Sequence, residues 1–145
     1  MAGSNPSPMD GREMRHRLFG DEATRFLAES PTAILAPDWV DITDTFLFGM
    51  VWTRPGLDLP LKSLATISAL IALGRERELG SHVKAGLRVG LTAEQILETV
   101  IQVAFYVGQP AAHGAFRAVL EAFADSDNEG ARSLVPGLRA ANPKP

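Results

Sequence analysis

The segment PLKSLATISALIAL, residues 60–73, has apolar side chains on nearly every side of a predicted helix. A helix that is hydrophobic all round lies in the interior of a protein, so this segment predicts the central helix of the fold. Pro60 suits the first turn of such a helix, and Gly74 ends it. Four polar residues interrupt the apolar pattern: Lys62, Ser63, Thr66 and Ser68.

A second predicted helix, over residues 76–89, pairs with this central helix. Its apolar residues Leu79, Val83 and Leu87 recur at helical spacing, and His82 lies between them, which predicts an inward-facing imidazole. The glycine at position 90 suits the residue that follows a helix. Residues 60–89 therefore predict an αα-hairpin with a histidine on its buried side.

A second hairpin is predicted over residues 92–124. Thr92 and Gln95 match a capping box that opens its first helix, and Gly108 followed by Pro110 separates the two helices. The two consecutive hairpins predict an all-α domain of orthogonal or bundle-like architecture.

The chain before residue 60 has a less regular pattern. Asp10 resembles the N-cap of a peripheral helix that Gly20 interrupts, and prolines at both ends of residues 31–37 predict a connection rather than a helix. A further helix is predicted from Asp38, followed by a turn over residues 54–60. An apolar stripe recurs at spacings of three and four and predicts that the helix buries its second half: Trp39, Ile42, Phe46 and Met50, with Leu47 and Val51 alongside.

The length and composition fit one domain. A chain of 145 residues with 46% hydrophobic residues has enough apolar material for a single core. We expect this domain over residues 10–124. A disordered leader of residues 1–9 is expected before it and a flexible C-terminal tail of residues 125–145 after it, because both are rich in residues that favour disorder.

The composition also disfavours several classes of function. A net charge of -3 with scattered basic residues argues against a nucleic-acid partner. The absence of cysteine excludes disulfides, thiolate nucleophiles and thiolate metal sites. No apolar run approaches the roughly 20 residues of a membrane span, and the N-terminus lacks a signal-peptide pattern. The sequence therefore predicts a cytoplasmic protein without a membrane partner.

Polar side chains at positions where the pattern otherwise has Leu or Ala mark a candidate site for a small organic acid. His82, Tyr106 and His113 are the candidate catalytic residues, because imidazoles exchange protons near neutral pH and a phenol donates a hydrogen bond. The histidines lie on different predicted helices without metal-ligand spacing, so no metal is expected. The candidate substrate-binding residues are two cations, an amide and three large side chains: Arg54, Lys62, Gln102, Trp52, Phe48 and Met50.

Each candidate also has a structural explanation. His82 fits a core histidine bonded to a backbone carbonyl, and Tyr106 fits a core ring. Arg54 and Lys62 fit solvated charges, and His113 fits a surface position. The three large side chains fit either a pocket wall or a subunit interface.

Four stretches of the chain resemble the carboxymuconolactone decarboxylase family, whose fold is shared with the AhpD-type alkylhydroperoxidases: residues 49–58, 73–83, 90–94 and 106–112. The resemblance implies an AhpD-like domain of about six helices. It also implies a homo-oligomer, a trimer or a hexamer, with a pocket lined by helices of one or two subunits. The implied activity is that of a cofactor-independent lyase. The peroxidase branch uses two cysteines, and this chain has none.

The sequence departs from the family pattern at Met50, Lys62 and His113, where the decarboxylase branch usually has Glu, Arg and Asn. These departures favour a pocket adapted to another molecule. We expect a decarboxylase of a small carboxylated lactone or a related cyclic or aromatic acid, with His82 as the proton donor or hydrogen-bond donor. Two alternatives stay open: a diverged isomerase, cyclase or hydrolase on the same pocket, and a non-catalytic oligomer that binds an acid.

Overall fold

The computed structural model describes residues 8–136, and the side chains of residues 10–136 apart from that of residue 22. The described part consists of helices joined by turns and contains no strand, which confirms the predicted all-α class. It divides between Asp58 and Leu59 into two compact units, called here the N-terminal unit and the C-terminal unit. Each unit has its own packing, and each is considered by itself.

The N-terminal unit contains four helices within its described residues. They are α1 (Pro8–Ala28), α2 (Pro31–Leu35), α3 (Pro37–Ile42) and a π-helix (Thr43–Val51). Gly20 breaks α1 as predicted, because its φ of 76° lies in the left-handed region that favours glycine. The largest contact inside this unit is between α1 and the π-helix.

The prediction of a helix-free connection over residues 31–37 is wrong. The side chain of Ser30 caps α2 by accepting a hydrogen bond from the Ala33 N–H at 3.2 Å. Pro31 occupies the first turn of α2, where the N–H that proline lacks would have no helical partner. Proline at this position therefore starts a helix instead of preventing one.

The prediction of the buried stripe in the next helix is also wrong. All four predicted stripe residues are exposed: Trp39, Ile42, Phe46 and Met50. The buried residues are instead Asp44, Phe48 and Gly49, followed by Trp52. In a π-helix each hydrogen bond spans one residue more than in an α-helix and the turn is wider, so Phe46 and Met50 do not stay on the face that spacings of three and four predict.

The C-terminal unit consists of the two predicted hairpins and one short additional helix. The first hairpin pairs α4 (Leu59–Ala72) with α5 (Glu76–Arg88), and the second pairs α6 (Ala93–Val107) with α7 (Gln109–Ala124). Helix α8 (Glu129–Ser133) follows. With the helices of the N-terminal unit this makes nine helices in the described residues, more than the six expected.

The predicted capping box is present at the start of α6. The Gln95 N–H donates to the Thr92 hydroxyl at 3.1 Å, and the Thr92 N–H donates to the Gln95 side-chain oxygen at 2.9 Å. This reciprocal pair satisfies two backbone N–H groups at the helix start. Gly90, with a φ of 113°, lies in the turn before it. The boundary between the two hairpins is thus set by local hydrogen bonds and one glycine.

One apolar core joins the helices of the C-terminal unit. Its fully buried members recur every three or four residues on each helix, as the sequence predicts: Ile67 and Ile71 on α4, Leu79 and Val83 on α5, Ile96 and Val100 on α6, and Val119 and Phe123 on α7. None of the described helices is both long enough and apolar enough to span a membrane.

The chain after α7 is partly ordered where the sequence predicts a flexible tail from residue 125. The Asn128 side chain caps α8 by accepting from the Ala131 N–H at 2.9 Å. Ala131 and Val135 are buried in the core of the C-terminal unit. The remaining residues of the predicted tail, 137–145, and residues 1–7 of the predicted leader lie outside the described residues.

Candidate active site

His82 lies in the second turn of α5, on the side that faces the core. Leu79, Val83 and Gly86 surround it along the helix, and all three are buried. The His82 side chain is half-buried, and its Nδ1 atom is shielded from solvent. The structure thus directs the imidazole toward the interior, as the apolar spacing predicts.

The surroundings of His82 favour its neutral form. Burial lowers the pKa of His82 from its ordinary value of 6.5, because the charged imidazolium loses hydration in an apolar environment. Glu78, one helical turn earlier, acts in the opposite direction and raises the pKa by a smaller amount. Because desolvation is the larger effect, His82 is a neutral imidazole at pH 7, able to donate from one ring nitrogen and accept at the other.

Helix α4 contains Lys62, which the sequence predicts as a site residue, and Ser63, which it does not predict. Lys62 is half-buried, so its charge is only partly solvated. Ser63 is buried, and within the described residues its hydroxyl has no protein hydrogen-bond partner. Thr66 and Ser68 on the same helix behave differently, because each hydroxyl donates to the carbonyl four residues earlier. A buried hydroxyl without a hydrogen-bond partner lowers stability by about 1–3 kcal/mol. In the sequence, Ser63 could have been noticed as a serine among apolar residues.

Gln102 and Tyr106 lie together on an exposed face of α6. The Tyr106 side chain is 80% exposed, and the neighbouring Phe105 is 83% exposed. Tyr106 is therefore not a core ring, and that structural explanation is excluded. The face also contains Ile101, so three large side chains and an amide meet solvent on this helix.

His113 lies on the outer side of α7, near the start of the helix. Its Nδ1 is 2.8 Å from the carbonyl oxygen of Gln109, so Nδ1 is the donor and Nε2 is the acceptor in the neutral ring. One turn later Arg117 donates to Glu76 of α5 at 2.6 Å. The Glu76 carboxylate passes over Gly114, where a Cβ atom would clash with it. His113 thus has a fixed ring orientation at an exposed position.

The candidates in the N-terminal unit differ in burial. Phe48 in the π-helix and Trp52 just after it are both buried, and Phe48 makes an edge contact with Phe19 at 6.1 Å between ring centroids. Met50 is exposed on another side of the π-helix. Arg54 is exposed in the turn that follows. The structure therefore buries two of these four residues and exposes the other two.

Sequence reasoning missed a buried ion pair in the same unit. The Arg15 guanidinium donates to both carboxylate oxygens of Asp44, at 2.7 and 3.0 Å, and the Asp44 side chain is 0% exposed. An acidic residue early in a helix normally suits the helix dipole in solvent. One sequence feature could have indicated this ion pair. Arg12 and Asp41, like Arg15 and Asp44, are 29 residues apart in the chain.

The described residues contain no group of three His, Asp or Glu side chains arranged to hold a metal ion. The candidate side chains can form hydrogen bonds, transfer protons and pair with charges. Such chemistry suits a reaction in which negative charge develops on an oxygen or carbon atom of an organic acid.

A sequence model of the carboxymuconolactone decarboxylase family matches residues 37–121, which is more than half of the chain. The chain therefore belongs to the carboxymuconolactone decarboxylase family, and the predicted family is confirmed.

Individual relatives are similar over much of the chain. The 4-carboxymuconolactone decarboxylase of Acinetobacter baylyi is 34% identical over 115 residues, which cover 79% of this chain and 85% of that protein. The nitrosuccinic acid decarboxylase npaB of Metarhizium robertsii is 33% identical over 101 residues, or 70% of each chain. An uncharacterized 15.0 kDa protein of Paracoccus denitrificans is 33% identical over 84 residues, covering 57% of this chain and 63% of that protein.

Proposed function

We propose that this protein is a cofactor-independent decarboxylase of a small carboxylic acid, a carboxylated lactone or a related cyclic or aromatic acid. The observation that supports this most strongly is the similarity to two relatives whose names describe decarboxylation of small acids, along most of the chain. The half-buried, neutral His82 is the side chain best suited to the chemistry.

The proposed role of His82 follows from what a decarboxylation needs. Loss of carbon dioxide leaves an electron pair on carbon, and the barrier falls when this charge moves onto an oxygen atom that already accepts a hydrogen bond. One preorganised donor at such an oxygen contributes about 3–4 kcal/mol to transition-state stabilisation. A neutral imidazole donates its N–H to the enolate oxygen without first gaining a proton, so the lowered pKa of His82 suits this role.

We assign the remaining candidates to binding and proton delivery. Arg54 is proposed to hold a substrate carboxylate through its guanidinium fork, and Lys62 is proposed to bind a carboxylate or lactone oxygen. Gln102 and Tyr106 are proposed to donate to a substrate carbonyl, and His113 to act as a further acid or base. Phe48, Met50 and Trp52 are proposed to supply apolar contacts to the substrate.

The exposure of two proposed site residues supports a homo-oligomer, as a trimer or hexamer. Tyr106 and His113 meet solvent in the single chain, whereas a substrate carbonyl is polarised best where water is excluded. The apolar residues beside Tyr106, Ile101 and Phe105, suit a contact with another subunit. Light scattering at micromolar concentration is expected to give a mass of at least three chains, and a monomer would contradict this proposal.

The proposed activity is tested by measuring carbon dioxide release from a panel of carboxylated lactones and aromatic acids. We expect release from at least one acid, and we expect His82→Ala to lower kcat about 100-fold or more, the contribution typical of a positioned acid–base group. His16→Ala is the matched control, because His16 is exposed and pairs with Asp21. Equal loss in both variants would contradict the role of His82.

The same panel of acids distinguishes a decarboxylase from the alternative enzyme classes. An isomerase, cyclase or hydrolase would consume an acid without releasing gas, so substrate loss in the absence of carbon dioxide contradicts decarboxylation. A non-catalytic acid-binding oligomer would bind a panel member, detected by calorimetry, and turn none of them over.

A further inference from the structure

The first turn of the π-helix is held by an ion pair that the proposed reaction does not use. Nε and Nη2 of Arg15 donate to the two carboxylate oxygens of Asp44 at 2.7 and 3.0 Å. The Asp44 side chain is 0% exposed and that of Arg15 is 11% exposed, so water screens the pair weakly. A guanidinium that makes two parallel bonds fixes orientation as well as distance, which a lysine cannot do.

An outer ion pair lies beside this inner one. Arg12 donates to Asp41 at 2.6 Å, and its Nε is 3.5 Å from Asp44 Oδ2. The side chains of Arg12 and Asp41 are both more than half exposed, and exposed pairs contribute little to stability. The inner pair of Arg15 with Asp44 is therefore the one that is shielded from solvent.

The backbones of α1 and the π-helix meet at the same residue. A Cβ atom on Gly11 would lie 1.6 Å from the carbonyl oxygen of Asp44, so only glycine fits there. The two ion pairs have a common offset of 29 residues. The ring contact between Phe19 and Phe48 repeats that offset. These three side-chain contacts of helix α1 with residues 41–48 therefore follow one constant residue offset.

The π register is not the register that the local sequence favours. The segment ends with the Trp52 N–H donating to the Leu47 carbonyl, five residues earlier, at 3.0 Å. Backbone with i→i+5 bonds is rare and persists where the surroundings impose it. The apolar spacing instead fits an ordinary α-helix, in which one common face contains four residues: Trp39, Ile42, Phe46 and Met50.

We infer that the Arg15–Asp44 pair is a positioning device that holds residues 43–51 in the π register and thereby sets the placement of Trp52 and Arg54. Without the pair, the segment returns toward α-helical hydrogen bonding. Each following residue then rotates about the helix axis, because α-helical hydrogen bonds span one residue fewer and the turn is tighter. Trp52 leaves its buried position, and Arg54 changes direction. The part of this inference that concerns substrate affinity rests on the proposed function.

The placement of Trp52 is measured by fluorescence of the full chain, without any substrate. The chain has two tryptophans, so Trp39→Phe leaves Trp52 as the single emitter. Trp52 is 6% exposed and Trp39 is 61% exposed, so the reciprocal chain, Trp52→Phe, gives the emission of an exposed tryptophan as a reference. In the Trp39→Phe chain we expect Arg15→Gln to shift Trp52 emission to the red, toward that reference, well below the unfolding midpoint.

Two further variants separate a register change from general destabilisation. Arg117→Gln removes an ion pair of the C-terminal unit, that with Glu76, and is expected to leave Trp52 emission unchanged. Arg15→Lys retains the charge and loses the two-bond fork, so it is expected to give an intermediate red shift and serves as the test if Arg15→Gln does not fold. Unchanged emission in a folded Arg15 variant would overturn the inference.

Substrate affinity gives a second measurement on an acid that the wild type decarboxylates. Arg15→Gln is expected to raise KM about tenfold and to leave kcat within a factor of two or so, because the proposed chemical group, His82, is unchanged. A loss of folded protein alone would lower kcat and leave KM unchanged, and that result overturns the positioning role. If the wild type turns over no acid of the panel, the proposed function fails, and the emission of Trp52 alone decides this inference.

Discussion

The described parts of the two units of this protein differ in whether a charged pair lies among their buried contacts. The C-terminal unit buries apolar side chains on every long helix, and its helices have the registers that their apolar spacing predicts. The N-terminal unit buries a carboxylate under a guanidinium and leaves an apolar stripe in solvent. Where the core is apolar, the spacing of apolar residues correctly predicts which helix face is buried. Where a charge pair lies between the helices, that spacing does not predict the buried face.

The largest effect is expected from removing a core ring of the C-terminal unit. Phe123→Ala deletes a fully buried side chain and should lower the free energy of unfolding by about 3–5 kcal/mol. The measurement is denaturant unfolding followed by far-UV circular dichroism. Leu73→Ala, at a 71% exposed position of the same unit, is the control and should stay within about 0.5 kcal/mol. Similar losses in the two variants would refute an apolar core as the main source of stability.

The next effect concerns the close backbone contact of the N-terminal unit. Gly11→Ala places a methyl group against the Asp44 carbonyl, and backbone cannot move aside as a side chain does. We expect a loss of about 1–3 kcal/mol or more, as for overpacked cores. Both tryptophans lie in this unit, so fluorescence-detected unfolding reports it.

Gly56→Ala is the control for this substitution, because a Cβ atom there has nothing within 4 Å. If Gly11→Ala unfolded at the same denaturant concentration as Gly56→Ala, α1 would not be docked through this contact. The contrast between the two units would then lose its main support.

A smaller effect is expected at the start of α6. Thr92→Ala removes half of the capping box and should lower the free energy of unfolding by about 1 kcal/mol. Thr99→Ala on the same helix is the control, because its hydroxyl only returns to the carbonyl of Gln95 within the helix. Circular dichroism unfolding of both variants compares a cap with an ordinary helical hydroxyl, and equal midpoints would show that the cap is dispensable.

The smallest effect is a pH dependence that arises from His82. Because burial lowers its pKa in the folded state, the unfolded chain binds a proton more readily than the folded chain below about pH 6.5. Acidification from pH 7.5 through 6.5 and below should therefore reduce wild-type stability by a contribution that His82→Gln lacks. An equal loss in both chains would show that His82 is solvated like an ordinary histidine.

The sequence predicts the four long helices of the C-terminal unit but not α8, which lies in the predicted flexible tail. The four long helices, the capping box and the inward orientation of His82 follow from apolar spacing, glycine positions and one Thr–Gln pair. These signals are local, and each agrees with the packing of the core. The structure of a region can be predicted from one sequence when its local sequence preferences agree with its tertiary packing.

The N-terminal unit and the exposure of the candidate site depend on non-local contacts. The π register follows from Arg15, which lies 29 residues from Asp44, and spacing within the segment does not contain that information. The exposure of Tyr106 also cannot be predicted from local spacing, because a tyrosine four residues from Gln102 fits a buried or an exposed face equally well. What lies opposite a helix face decides its burial, and that depends on the rest of the protein.

The short turns inside the C-terminal unit have a consequence for how fast the chain folds. Only residues 73–75 separate α4 from α5, and only Gly108 separates α6 from α7, so each hairpin closes a small loop at little entropic cost. Helical proteins rich in such local contacts fold in microseconds to milliseconds. We therefore expect this unit to acquire its native hydrogen bonds early, and amide exchange pulsed within the first milliseconds of refolding should find them protected there first.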